Sequence, residues 1–491
     1  MLFFHYFWQT LLRSQYICCY DTVYWELIVI DDHSADDTLR ILKRAEQTDS
    51  RIKAFLNKLR YSTGHRAILA RGAIGSFVVK ILGAAIAFGL HILLARLLGV
   101  TQYGIYIYAL TWVNILVIAS LLGLNTSLVR FIAAYKVQER WGLLRGIVHR
   151  STQFIVVFSL LISGISGIVV WFLRNRIGQD QAATFGVALI LLPVLVLVRL
   201  REASLRALKR VVLSSLPDRI IRPLLLAIIL SGLYFYLRKP LQATQAMAIN
   251  LIAVFTALVI GTVWLVKEFP EQARDAQPIY AAKEWLKVSL PLLLIASMAM
   301  VLSQTDIIMV GAIRGADEAG IYSAASRISN LVVFALMAIN AILAPMISEL
   351  YSTGKNEELQ RIVTLAARVI FVFTLTVSII LAVFGKFALS LFGTEFVVTY
   401  VPLLILLFGQ IVNALAGSVG LIMTMTGHQN QAGAIVTVSA AVNIILNALL
   451  IPLMGLVGAA ISTAFTMALW NIIMLIYVHR RLGINPTIIT I

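Results

Sequence analysis

From about Gly72 to Val478 the chain is a succession of apolar stretches divided by short polar connections. Each stretch holds about 20 residues, enough to cross the hydrocarbon core of a bilayer as a helix. The pattern predicts about twelve spans. The first six lie near 73–98, 104–127, 151–173, 183–203, 219–237 and 244–266, and the second six near 286–311, 320–347, 363–384, 400–425, 432–453 and 457–478. A charged connector from Lys267 to Lys287, with Pro270 and Pro278 inside it, separates the two groups. The chain therefore reads as an all-α polytopic membrane protein. One six-helix lobe is expected at 70–266, a linker at 267–287 and a second six-helix lobe at 288–483. Residues 1–65 are mixed and charged, hold both cysteines, and stand apart from this array.

Composition sharpens the class. Of 491 residues, 60% are hydrophobic and 13% charged, and the mean hydropathy is +0.90. Soluble domains average roughly 45–50% apolar and about 25% charged residues, so a soluble fold is excluded. The 40 Lys and Arg against 23 Asp and Glu leave a net charge of +17. On a soluble chain that excess would suggest nucleic acid, but no zinc-finger spacing or RNA-binding aromatic motif accompanies it. The basic residues gather instead in alternate loops. Arg60, Arg66 and Arg71 precede the first span; Lys136, Arg140, Arg145 and Arg150 follow the second; Arg201, Arg206, Lys209, Arg210, Arg219 and Arg222 surround the fourth-to-fifth turn. By the positive-inside rule this predicts a multi-pass protein of the cytoplasmic membrane with both termini cytoplasmic. The neighbours Cys18 and Cys19 give neither a disulfide framework nor a spaced metal set, and Met1–Tyr16 lacks the form of a signal peptide. No metal and no cofactor are expected.

The two groups of spans repeat one another. Under a constant shift of 216, Gly99–Tyr106 aligns with Gly315–Tyr322, keeping Gly104 on Gly320 and Tyr106 on Tyr322. The same shift pairs Asn114 with Asn330, Tyr135 with Tyr351 and Arg145 with Arg361. Six spans per repeat is an even number, so both halves enter the membrane in the same direction. They should be related by an axis along the membrane normal, an arrangement used by transporters that hold substrate between their halves.

Ionisable groups inside hydrocarbon are costly, and each is a candidate site residue. Lys80 and His91 fall in the first span, Asp306 in the seventh, Arg327 in the eighth, Arg130 at the end of the second and Arg222 near the start of the fifth. Each also has a plainer reading. Lys80 could snorkel to the headgroups, Arg130 and Arg222 could anchor at the interface, and His91 could be a packing residue. Asp306 and Arg327, on consecutive spans at similar depth, could form a structural ion pair. Asn114, Asn330, Asn413, Asn443 and Asn447 could bridge helices by hydrogen bonds. Glu202 and Asp218 fall at predicted helix ends, which leaves the first lobe without a deep carboxylate. A route lined by Lys, Arg and amides favours an anionic substrate. The candidate cavity residues are Lys80, Arg130, Asp306, Arg327, Asn114 and Asn330; the candidates for a coupling ion are His91 and Asp306.

Several segments carry a family likeness: Ala95–Tyr106 and Gly123–Ile132 in the first lobe, and Gln304–Gly311, Gly320–Ala325 and Pro452–Ala460 in the second. Over roughly 70–483 the chain resembles the polysaccharide-biosynthesis flippases, the Wzx-like branch of the multidrug/oligosaccharidyl-lipid/polysaccharide (MOP) exporter superfamily. The resemblance implies alternating access between two lobes. A polyprenyl-phosphate-linked or pyrophosphate-linked oligosaccharide would pass from the cytoplasmic to the outer leaflet, its head in a cationic cavity and its tail in lipid. It also implies a setting of surface polysaccharide assembly, with membrane lipid, a polysaccharide polymerase and glycosyltransferases as partners and no nucleic acid. Rival readings are a cation-coupled multidrug exporter of the same superfamily, expected to use a carboxylate in the first lobe, and a non-transporting organiser of polysaccharide assembly. Lipid II flippases commonly carry two further helices that the pattern does not give.

The front piece resembles something else. Trp25–Leu42, with Asp49–Lys53 after it, is similar to the opening of a family-2 glycosyltransferase. That resemblance implies a short α/β-like fragment over 1–65, with Asp31 and Asp32 as vestigial nucleotide-binding residues. Membrane helices begin where the metal-binding motif and catalytic base should follow, so no enzyme activity is expected and the chain reads as a transporter.

Overall fold

The computed structural model describes residues 65–488. The chain divides into a short unit ending at Val78 and a large unit from Val79 onward; within the first, residues 65–78 are helical. The glycosyltransferase-like piece, with Asp31 and Asp32, lies outside the described residues.

Every predicted span falls on helix. Among the described residues, nine helices are long and apolar enough to cross a membrane, and Met300–Ile313 and Leu336–Ser352 are shorter apolar ones. Hydrocarbon offers no partner for a free N–H or C=O, so spanning backbone must close its hydrogen bonds within its own helix. The first two spans are two helices within His65–Leu121 that meet at a break at Gly99, whose φ of 73° is open to glycine at little cost. The second span resumes as Leu124–Val137. Trp141–Ile177 and Gln179–Ala207 are the third and fourth spans, and Ala243–Glu268 the sixth. The fifth, Val211–Leu237, contains a π-helical turn at Pro217–Ile221. Beyond the connector, with its short helix Glu271–Asp275, Ala282–Ile313 is the seventh span. The eighth is broken into Ala316–Asn330 and Val333–Ser352. Asn356–Ser390 is the ninth, Tyr400–Ala416 with Val419–Met425 the tenth, and Gln429–Met454 and Leu456–Tyr477 close the array.

Several helices outrun their apolar stretches. The third starts at Trp141, ten residues before its hydropathy rises, and carries Arg145, His149 and Arg150 on that extension. The fifth starts at Val211 rather than near 219, because the turn holding Asp218, Arg219 and Arg222 is helical in spite of its charge.

Contacts sort the connections onto two ends. At one end Leu97 O accepts from Leu241 N at 3.3 Å, Gln102 bonds to Asp180 at 3.2 Å and accepts from Ala243 N at 2.8 Å, and Arg96 reaches Leu391 O at 2.7 Å. At the other end Ile279 N donates to Gly142 O at 2.9 Å and Arg210 pairs with Glu268 at 2.7 Å. Successive spans therefore run antiparallel.

Residues related by the shift of 216 meet each other. Thr101 Oγ1 donates to Asp317 at 3.2 Å, and a Cβ on Gly320 would lie 2.5 Å from the Gly104 Cα. The second and eighth spans thus touch backbone to backbone where the repeat axis must pass. At the connector end the halves meet again. Ser127 and Ser289 hydroxyls lie 2.6 Å apart and Trp285 Nε1 donates to the Tyr135 hydroxyl at 2.9 Å. Gly104→Val places side-chain carbons where the Ala316 carbonyl stands. It is expected to destabilise the protein by about 1–3 kcal/mol, read as a lower thermal midpoint in detergent, whereas Gly89→Ala, which meets nothing within 4 Å, should be close to neutral.

Candidate functional site

Two polar constellations lie inside the helical array. The first gathers around two arginines. Arg327 is eleven residues past the start of the helix Ala316–Asn330, and Arg222 eleven past Val211. At 1.5 Å per residue each is roughly 16 Å from its helix end. Arg222 heads the helix Arg222–Leu237, at the start of its apolar stretch. Its Nη1 donates to Asp218 at 2.9 Å and its Nε to Asn250 Oδ1 at 3.2 Å. Asp218 also pairs with Arg199 at 3.0 Å, and Arg199 with Glu202 at 3.2 Å. The first half does hold a buried carboxylate, at 9% side-chain exposure. It sits between two guanidinium groups, so it offers no free charge to a cation.

Arg327 differs. Among the described residues it forms no ion pair, and its Nε is buried without a hydrogen-bond partner. The Tyr103 hydroxyl faces Ser323 and Arg327, and lies 3.4 Å from His91 Nδ1. The charges of Arg222 and Arg327 both bear on His91 and on Tyr106. Spans one, two, five and eight therefore meet around these groups, and among the described residues the Arg327 charge is set against no carboxylate. A buried cationic donor without a partner is costly to leave so and is satisfied by an anion.

The second constellation surrounds Asp306, which is 9% exposed. Its neighbours are neutral, in place of the Arg327 partner that the antiparallel spans suggested. Tyr322 donates at 3.1 Å, Asn447 Nδ2 at 2.9 Å, and the Thr463 hydroxyl completes the shell. Asn447 Nδ2 also donates to Asn443 Oδ1 at 3.0 Å, which leaves Asn447 Oδ1 buried without a donor. A carboxylate, a hydroxyl and an unsatisfied amide oxygen within one small volume make a setting for a small cation or a proton. Among the described residues no group of three or more His, Cys, Asp or Glu side chains could hold a metal ion.

The remaining candidates are dispersed. Lys80 and Arg130 are exposed on the bundle and form no hydrogen bond or ion pair among the described residues. Asn114 is half-buried and Asn330 exposed, and neither makes a hydrogen bond there. Helix bridging by asparagine falls instead to Asn443, Asn447 and Asn471, the last donating to Asn413 at 3.0 Å. Sequence reasoning did not select Tyr103, Tyr106, Tyr322 or Thr463. The Asp218–Arg222 spacing of four residues was the available sign of the first network.

This is the architecture of a MOP-superfamily membrane transporter: among the described residues, a succession of apolar helices with polar groups gathered inside the array. The chain belongs to the polysaccharide biosynthesis protein family, whose profile matches residues 69–351, and a MatE profile matches residues 279–449. It is 24% identical over 407 residues to the uncharacterized membrane protein MJ1068 of Methanocaldococcus jannaschii, covering 78% of each chain. It is 30% identical over 174 residues to the probable flippase AglR of Haloferax volcanii, covering 35% of this chain and 37% of that one. Solved structures share the fold at low identity. An inward-facing multidrug resistance MATE family transporter superposes with a TM-score of 0.64 at 15% identity, covering 84% of this chain and 98% of that one. The lipid II flippase MurJ, in an inward closed conformation, gives 0.63 at 13% identity, covering 82% and 86%.

Replacing Asp218 by Leu strands Arg199 and Arg222 beside each other. The expected loss is about 3 kcal/mol of stability, read by thermal unfolding, and pairing it with Arg222→Met should recover part of that loss.

Proposed function

We propose that the protein is a flippase for a lipid-linked oligosaccharide, and that the phosphate joining lipid to sugar passes the arginines between its two six-span halves. The observation that carries this reading is the half-buried Arg327 beside Tyr103, whose Nε is buried without a partner and whose charge is set against no carboxylate among the described residues. Membership of the polysaccharide biosynthesis family and the likeness to a probable flippase support it. The carrier is a polyprenyl phosphate or pyrophosphate, moved from the cytoplasmic to the outer leaflet of the cell membrane for surface polysaccharide synthesis. The sugar head crosses between the lobes while the lipid tail stays in the bilayer. The connector end carries Lys136, Arg140, Arg145 and Arg150, and this charge supports placing it, with both termini, in the cytoplasm.

Alternating access then has a concrete meaning. The Thr101–Asp317 and Gly104–Gly320 contacts close the outer end and part when the protein opens outward. Asp306 takes the coupling cation, a proton or a sodium ion, and its neutral shell becomes fully satisfied when that ion is bound. Lys80 and Arg130 guide the anionic head at the cytoplasmic mouth, and His91 adjusts the region around Arg327. A polymerase and glycosyltransferases supply or consume the lipid-linked sugar at the two faces.

The MatE match and the likeness to a multidrug transporter favour a second reading, export of organic cations. Such a substrate needs a free acidic group in the first half, and Asp218 there is already held by two arginines.

The test is leaflet transfer of a labelled polyprenyl-pyrophosphate oligosaccharide in proteoliposomes. Arg327→Glu is expected to slow transfer by about tenfold or more, since a charge-assisted bond to phosphate is worth about 1.5–3 kcal/mol. Efflux of organic cations with no lipid transfer would overturn the reading. In a chain carrying Cys18→Ser and Cys19→Ser, the pair Thr101→Cys and Asp317→Cys should cross-link on oxidation and stop transfer, and reduction should restore it.

A further inference from the structure

A second basic cavity lies in the first half, apart from the central arginines. Its volume is about 520 Å³, and Arg145 and His149 of the third span face Arg201 of the fourth and Phe269 just past the end of the sixth. Val156 and Val157 line its deeper part, and Val157 is 53% exposed on the outside of the bundle. The cavity therefore has a cationic rim and an apolar floor that opens sideways toward lipid.

The rim is not neutralised. Among the described residues Arg201 forms no ion pair, and its Nε is buried without a hydrogen-bond partner. Arg145 Nη1 donates to the carbonyls of Arg274 and Ala276, the latter at 2.9 Å. Those bonds fix the guanidinium at the cavity edge and leave its charge unpaired, since carbonyls carry no net charge. Arg201 stands six residues before Ala207, roughly 9 Å from the end of its helix, so the rim lies near the headgroup level on the face rich in Lys and Arg. Basic pockets between spans at such a face suit anionic headgroups.

We propose that this cavity binds the phosphate headgroup of an anionic glycerophospholipid. Arg201 is the principal donor, Arg145 and His149 stand beside it, and one acyl chain lies along Val156 and Val157. The apolar floor decides the source of the phosphate: a soluble phosphate ester would leave Val156, Val157 and Phe269 uncovered, whereas a lipid covers them. The site uses neither Arg327 nor Asp306, so it stands or falls apart from the transport reading.

The test titrates the delipidated full chain in detergent with short-chain phosphatidylglycerol, with phosphatidylcholine of equal chain length, and with glycerol 3-phosphate, reading binding by thermal shift and native mass spectrometry. Phosphatidylglycerol should bind best, and its affinity should fall about tenfold in Arg201→Gln and about threefold in His149→Gln. His149 is exposed, so its variant keeps the test open if Arg201→Gln does not fold. Equal binding of the two lipids, or phosphatidylglycerol binding unchanged in both variants, overturns the proposal. Glycerol 3-phosphate binding as tightly as the lipid, with the same dependence on Arg201, overturns the lipid assignment in favour of a soluble phosphate ester.

Discussion

The backbone contact between Gly104 and Gly320 is the constraint around which the rest of the structure is arranged. Two helices approach this closely only where neither carries a side chain, and in lipid close approach is a main source of helix association. The contact joins residues that the repeat makes equivalent, as does the Thr101–Asp317 bond one turn away. An interface between equivalent residues lies on the axis relating the halves. Its neighbours, the turns at Gly99 and Gly315, also correspond, and both take positive φ. The same short motif thus turns the chain and seals one end of the array, and Tyr103, just before Gly104, is carried to Arg327.

With the helices held in this way, the polar groups inside divide by how their charge is met. Asp218 is met by opposite charge, from Arg199 and Arg222. Asp306 is met by neutral donors. Arg327 is met by neither at its Nε. Ion pairs between buried partners are hard to open, because separating them leaves two desolvated charges. The Asp218 network therefore suits a fixed support that holds Arg222 in place. Groups with unfilled capacity are the ones on which a ligand can act.

The helices were readable in the sequence because lipid imposes one rule, an apolar run long enough to span, and a run is visible without knowing its neighbours. The repeat was readable because glycine and tyrosine at fixed spacing are rare in apolar sequence. Helix ends were less so. Charge at Asp218, Arg219 and Arg222 lowers hydropathy where the helix nonetheless continues, so the fifth helix reads shorter in the sequence than it is. The partners of Asp306 were hidden for another reason. Tyr322, Asn447 and Thr463 come from three other spans, up to 157 residues away, and only packing decides which face of each helix meets it. Lys80, Arg130 and Asn330 stand out as polar letters in apolar runs and all three are exposed, but hydropathy along a helix carries no information on orientation around it.

The repeat gives the halves matching residues at Gly99 and Gly315 and at Gly104 and Gly320, and their buried polar groups make them unlike in chemistry. The first half holds its deep carboxylate between arginines; the second surrounds its own with a hydroxyl, a phenol and an amide whose oxygen lacks a donor. A small cation gains at Asp306 what it cannot gain at Asp218. Under the flippase reading, substrate charge and coupling charge are thereby kept apart: the anionic head is met where Arg222 and Arg327 face each other's halves, and the cation is held within one half alone. A ligand shifts an equilibrium only by its difference in affinity between two states. The seventh and eighth spans carry Asp306 and Tyr322, and the eighth also carries Gly320 and Arg327. On that reading, filling or emptying the Asp306 shell bears on the helix that makes the Gly104–Gly320 contact, and one bound ion has a route to the opening of that end.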